Sequence, residues 1–219
     1  MSDIMAISRH RMGTDGHGVT TLVGMHGCPL NCKYCINQGC HENQTARADY
    51  SPIELIDQLS IDAPYFLMSG GGITFGGGEP LLQAEFIRRV CKFAPPAWKI
   101  NIETSLNYTW KSIQWLSEVI DYWIIDIKEV DSQVYKEYTG LDNHRVLENL
   151  KKLVELVGPE KVRIRYPLIP EFNNDEIRNK GIAVLRKTIH PDISIEKFTY
   201  LKVANTADEP DWMDDILDD

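Results

Sequence analysis

The chain has 219 residues, of which 43% are hydrophobic and 25% charged, ordinary values for a globular protein and enough for one domain with a substantial core. Its net charge is −9, but Ala204 to Asp219 alone holds seven acidic side chains and no Lys or Arg, so the rest is nearly neutral. There is no basic face for nucleic acid, no apolar run near the roughly 18 residues of a membrane span and no apolar export signal at the start, so a cytoplasmic location is expected.

Taken in order, the hydrophobic pattern predicts six strand–helix repeats. Val19 to Gly24 reads as the first strand. Ser51 opens a helix: it can cap, Pro52 suits the first helical position, and Glu54 completes a capping box. Ile73 to Phe75 is a short strand, followed by a helix from Leu81 to Phe93 with Phe86, Ile87 and Val90 on one face. Lys99 to Thr104 is the third strand, with a helix over Trp110 to Leu116 after it. Tyr122 to Ile127 is a continuous apolar strand of the kind buried on both faces. Val146 to Val157 repeats apolar residues at helical spacing. Val162 to Tyr166 is a strand that Pro167 should end, Asn173 or Asn174 caps the next helix, and Ile193 to Tyr200 is the sixth strand. Strands alternating with helices imply a parallel sheet. Six units fall short of the eight of a closed barrel. The expected class is therefore α/β: an open, partial (β/α)6 TIM-like barrel over residues 1–203, followed by an acidic C-terminal tail, 204–219.

Five cysteines are present, four of them between Cys28 and Cys40. An odd count so clustered, without an export signal, argues for metal or cluster binding over a disulfide framework. Cys28, Cys32 and Cys35 have C-x3-C-x2-C spacing on the loop after the first strand. Three thiolates there can hold a [4Fe–4S] cube with one iron left open. From the loop alone zinc stays a rival, since Cys40, His26 or His41 can complete a four-ligand site. Buried structural cysteines are a third reading. No role is assigned to Cys40 or Cys91.

Gly70 to Gly78 is glycine-rich and runs into Glu79 and Pro80 after the second strand. Glycines let backbone approach a ligand closely, and Glu79 offers a carboxylate to an ammonium group. A tight turn with Pro80 starting the helix explains the same string. It is not a phosphate-binding loop, because no G-K-[ST] follows.

The cysteine spacing, with the aromatic Tyr34 before the third cysteine, resembles the signature of the radical SAM superfamily. Gly77, Gly78 and Glu79 are similar to its motif for the amino group of S-adenosylmethionine (SAM). The likeness extends to the glycyl-radical-enzyme activases, of the pyruvate formate-lyase activating enzyme family. It is carried by Asp15-Gly16-His17-Gly18, by Ser69 to Phe75, by Ile125-Asp126-Ile127-Lys128, by Tyr138 to Asn143, by Leu147 to Leu150 and by Arg163 to Pro170. The resemblance implies a chain that cleaves SAM reductively and takes a hydrogen atom from a glycine of a partner enzyme. It implies a cluster on Cys28, Cys32 and Cys35. It gives SAM to Tyr34, Gly77, Gly78, Glu79, Thr104, Asp126, Lys128 and Arg165, with Lys128 also catalytic. It puts a monovalent cation at Glu103, Thr104 and Asp126, the substrate peptide at Asp15, and implies a flavodoxin- or ferredoxin-like electron donor. The alternative is a radical SAM enzyme that epimerises or crosslinks another peptide. A zinc-stabilised binding module is the reading from a different class. Three positions depart from the activase pattern: His17 stands for a proline, Thr20 for an arginine, and Leu201 for a histidine that contacts ribose.

Overall fold

The structure is a computed structural model that describes residues 2–41 and 48–200. The acidic tail, 204–219, and Leu201 lie outside the described residues.

Among the described residues eight strands form one open sheet in the order β3-β1-β2-β4-β5-β6-β7-β8. Six strands run parallel: β2 (Val19–Met25), β4 (Gly72–Gly77), β5 (Lys99–Thr104), β6 (Tyr122–Asp126), β7 (Val162–Leu168) and β8 (Ser194–Thr199). These are the six predicted strands. Two more, β1 (Ser2–Met12) and β3 (Ala48–Tyr50), extend the sheet antiparallel beyond β2. Their residues are mostly half-buried or exposed, so they lack the apolar run that marks a central strand.

The helices are α1 (Pro52–Leu59), α2 (Ala63–Ser69), α3 (Ala84–Cys91), α4 (Trp110–Leu116), α5 (Ser132–Thr139), α6 (His144–Val157) and α7 (Asp175–Thr188). The capping box at α1 forms as expected: Glu54 N donates to Ser51 Oγ (3.3 Å), and Ser51 N donates to Glu54 Oε2 (2.8 Å). Of the two candidate caps for α7, Asn174 takes the role, accepting from Ile177 N at 2.9 Å. Two expectations change. The helix expected from Leu81 begins as a 3-10 turn over Pro80–Gln83 and becomes α-helical only at Ala84. Pro167 does not end β7, which runs on to Leu168. β6 pairs with β7 only as far as Arg165, so the missing N–H of Pro167 interrupts no ladder on that side. The short helices α2 and α5 were not predicted.

The strands divide their side chains by alternation. On β6, Trp123 and Ile125 enter the apolar core that the helices cover, together with Ile164 and Tyr166 of β7. The intervening Asp126, Arg163 and Arg165 belong to the other, concave face. Charged residues every second position in an otherwise apolar strand thus mark a lined interior.

Glycine is required where α2 turns into β4. Gly70 ends α2 with a φ of 69°, and a Cβ there would meet open space. Gly71 is packed so closely on β2 that a Cβ would overlap the Val19 carbonyl. Gly70→Ala should cost about 1–2 kcal/mol in denaturant unfolding, from left-handed backbone alone. Gly71→Ala should prevent soluble folding, because β2 and β4 must separate. Equal, small losses at both positions would contradict this packing.

Candidate active site

The chemistry-bearing residues meet at the C-terminal ends of the parallel strands, around a cavity of about 600 Å³. Its wall includes Cys28, Cys32, Cys35, Gly77, Gly78, Glu79, Glu103, Thr104, Asp126, Lys128 and Arg165. These come from loops and strand ends far apart in sequence, brought together by strand order. A volume of this size suits a small organic ligand or cofactor.

The cysteine loop leaves β2 and is held at two places. At its base, Gly27 N donates to Cys40 O (3.0 Å), closing the loop on itself. At its tip, Asn31 N donates to Thr139 O (2.9 Å) and Lys33 N to Tyr138 O (3.1 Å), so the last turn of α5 supplies acceptors to the loop. Burial pushes the Cys28 thiol up to about 12 and raises Cys32, while Lys128 pulls Cys32 the other way. Such thiols keep their protons at neutral pH unless a metal displaces them. Cys40 is buried beside them, its thiol pushed up to about 11 by burial and then by Cys35 and Cys32. Among the described residues no three His, Cys, Asp or Glu side chains converge on a single metal ion. Three thiols lining one cavity fit a multi-iron cluster, in which each thiolate binds its own iron.

Glu79 lines the cavity and is itself held in place by hydrogen bonds. It is 1% exposed, and both oxygens already accept hydrogen bonds. Oε1 accepts from Thr104 Oγ1 (2.6 Å) and Leu81 N (3.2 Å), and Oε2 from Ser105 N (3.0 Å) and Ser105 Oγ (2.6 Å). Burial pushes this carboxyl up, and the four donors oppose that shift. Glu79 thereby ties the glycine turn to the end of β5 and caps the 3-10 turn after it. The Thr104 hydroxyl is likewise engaged by Glu79.

On the concave face Asp126 is the centre of a charged chain. Lys128 Nζ donates to its Oδ2 (3.1 Å) and Arg165 Nε to its Oδ1 (2.6 Å). Arg165 NH1 continues to Glu103 Oε1 (3.0 Å), and Lys128 Nζ to the Tyr200 hydroxyl (2.8 Å). Sheet register explains the pairing, since Asp126 and Arg165 are direct neighbours on β6 and β7. Burial alone would raise Asp126, but Arg165 and Lys128 hold it well below the usual carboxylate range. Lys128 is 7% exposed, and against its burial Asp126 and Tyr200 keep it firmly protonated.

Two candidates stand off the cavity wall. The Tyr34 ring packs edge-on to Phe172 and Tyr138, and its hydroxyl donates to Glu171 Oε2 (2.8 Å). Asp15 is 1% exposed and paired with Arg11, which holds its carboxyl down against burial. The arginine missing at Thr20 has a counterpart here: Arg11 lies directly across the β1–β2 ladder from Thr20. Arg11, Asn37, Phe198 and Tyr200 also line the cavity and were not predicted. The alternation of β1 was the one available signal for Arg11, and its polar character hid it.

With this geometry in view, the comparisons are direct. Residues 22–179 match the Radical SAM superfamily. The chain belongs to that superfamily, whose members use a [4Fe–4S] cluster and SAM. Activating enzymes are among the proteins it resembles in sequence. It is 32% identical over 186 residues to a pyruvate formate-lyase-activating enzyme of Clostridium pasteurianum, covering 85% of this chain and 77% of the relative. It is 32% identical over 230 residues to the (2S)-3-sulfopropanediol dehydratase activating enzyme of Klebsiella oxytoca, covering 77% and 72%. The fold is shared with Streptococcus suis SuiB at a TM-score of 0.61 and 17% identity, over 82% of this chain and 39% of that one. Membership in the superfamily displaces the zinc-stabilised module.

Glu103 makes the site sensitive to pH. Burial pushes its carboxyl up to about 7 against Arg165, with Asp15 and Asp126 adding to the rise. The folded chain therefore keeps a proton that the unfolded chain, with a value near 4.5, has lost. This contribution to stability is full below 4.5 and is lost as pH rises through about 7. In cofactor-free protein, Glu103→Gln should flatten the fall of melting temperature between about pH 5 and pH 8. An unaltered slope would remove Glu103 as its source.

Proposed function

We propose that this chain is a glycyl-radical-enzyme activase whose cluster is held by Cys28, Cys32 and Cys35. The observation that carries the reading is the single cavity shared by the three thiols, the glycine turn and the Asp126–Lys128–Arg165 chain. A cluster held by these cysteines would supply the electron for reductive cleavage of SAM to methionine and 5′-deoxyadenosyl radical, the agent that would take a hydrogen atom from a glycine Cα.

Each residue of the chain then has a physical task. Cys28, Cys32 and Cys35 would hold the cluster, which with three thiolate ligands could take up the amino and carboxylate groups of SAM. Gly77 and Gly78 allow the turn to approach that group closely, and Glu79 braces the turn through Thr104 and Ser105. Lys128, kept protonated by Asp126 and Tyr200, presents a cation to a ligand carboxylate. The carboxylates of Glu103 and Asp126 favour a sulfonium beside them. Glu103, Thr104 and Asp126 bound the monovalent-cation position, and a cation there shares the carboxylates with Arg165. Tyr34 acts through its backbone and by packing the loop, since its ring faces Phe172. Asp15 serves the incoming peptide through Arg11, which lines the cavity. The protein works in the cytoplasm with a flavodoxin- or ferredoxin-like reductant.

Activating enzymes act on partner enzymes, and the test follows from that. Anaerobically reconstituted protein, given dithionite and SAM, should release 5′-deoxyadenosine. Electron paramagnetic resonance with candidate glycyl radical enzymes should then show a glycyl doublet. Cleavage without a doublet from any partner would transfer the reading to epimerisation or crosslinking of another peptide. Cys28→Ala, Cys32→Ala or Cys35→Ala should reduce cleavage to background. Lys128→Met should weaken SAM binding about 10- to 100-fold, as for a lost charged hydrogen bond. Full cleavage by any cysteine variant would sink the assignment.

A further inference from the structure

Asn37 follows the third cysteine by two residues, and no part of the activity described so far uses it. Its position is unusual. The cysteine loop leaves β2 and the glycine turn leaves the neighbouring β4, and the two are joined at the near side by backbone alone. Gly78 N donates to Met25 O (2.9 Å) and Glu79 N to Gly27 O (2.7 Å). Those bonds fix only the first residues of the loop. The returning limb, beyond Cys35, reaches back to the same turn through a side chain: Asn37 Nδ2 donates to Gly77 O at 2.9 Å. Cys40 N in turn donates to Asn37 O (2.9 Å), and Cys40 O closes on Gly27. Asn37 is thus the keystone of a ring that contains all three cluster cysteines and the turn facing them.

The carbonyl it holds has little freedom of its own. Gly77 has a φ of 86°, and a Cβ there would crowd Gly24, so the residue lies where only glycine fits. Its peptide plane is also held from the other side by Gly78 N on Met25 O, so the carbonyl is a fixed point to which the loop can be tied. Asn37 ties the returning limb to it with a neutral donor, which leaves the charges around the cavity undisturbed. Asn37, Gly77 and Cys28 all line the cavity.

We propose that Asn37 is a positioning residue for SAM: its amide fixes the span between the cluster loop and the glycine turn, so that one ligand can reach both. The inference rests on the reading that this cavity binds SAM. A ligand gripped at two points loses affinity when the span between them loosens, even though each point survives. The same hydrogen bond serving only to satisfy a buried carbonyl would leave ligand affinity untouched.

Holoenzyme with its cluster oxidised, and so unable to cleave SAM, tests this by equilibrium binding. Asn37→Ala should weaken SAM binding about 5- to 30-fold, the range for one neutral hydrogen bond of about 1–2 kcal/mol. Asn37→Asp keeps the shape but sets an acceptor against the Gly77 carbonyl, and should weaken it further. KM for SAM should rise in parallel, with kcat at saturation within about threefold of wild type. Iron and sulfide content should stay at the wild-type level in Asn37→Ala. The neighbouring Gln38→Ala, an exposed position outside the cavity wall, should alter nothing. Unaltered SAM affinity in Asn37→Ala overturns the proposal, and so does a loss of affinity that merely tracks a loss of iron. A wild-type holoenzyme that neither binds nor cleaves SAM would instead overturn the functional reading, before any variant is made.

Discussion

The parallel pairing of β2 with β4 is the constraint on which the site depends. The two strands stay in register to their last residues, Met25 and Gly77, and their backbone contact continues past both ends into the loops. Side chains have no room in that contact. A Cβ on Gly78 would overlap the Gly27 carbonyl, and one on Gly77 would crowd Gly24. Bare backbone therefore sets how near the start of the cysteine loop lies to the turn, and the Asn37 amide holds the returning limb to the same turn.

The concave face poses the opposite problem, of too many charges in too little water. Asp126, Arg165, Glu103 and Lys128 are ordered so that each carboxylate touches a cation. Breaking one pair leaves a half-buried charge without its partner, which is why such chains are rigid. The arrangement also keeps Asp126 ionised while Glu103 retains its proton to much higher pH. Two like groups on adjacent strands thus titrate far apart, Glu103 well above Asp126.

Much of this was legible in the sequence, for definable reasons. The six parallel strands alternate with helical patterns along the chain, the signature of a parallel sheet, and Ser51 and Asn174 announce their helices by capping chemistry. The cysteine spacing and the glycine string are local motifs, so their meaning survives without coordinates. What stayed hidden depends on partners remote in the chain. The bonds from Ser105, 26 residues later, that hold Glu79 in place are one example. The packing of the Tyr34 ring on Phe172 and its hydroxyl on Glu171 are another. Arg11 sits on an edge-side strand whose mixed polarity mimics a loop, yet it lines the cavity from the position opposite Thr20. The helices α2 and α5 are too short for periodicity to register, and α5 matters because its last carbonyls support the cysteine loop.

Tyr200 gives the architecture a practical handle. Its hydroxyl meets Lys128, and its ring packs against Phe198 and Tyr138. The chain therefore leaves the last strand from the wall of the cavity itself, within one hydrogen bond of the charged chain. Tyr200 is also the residue through which β8 reaches the charged chain. A change at that tyrosine would therefore be felt at Lys128 and Asp126 through consecutive hydrogen bonds, with the apolar core untouched.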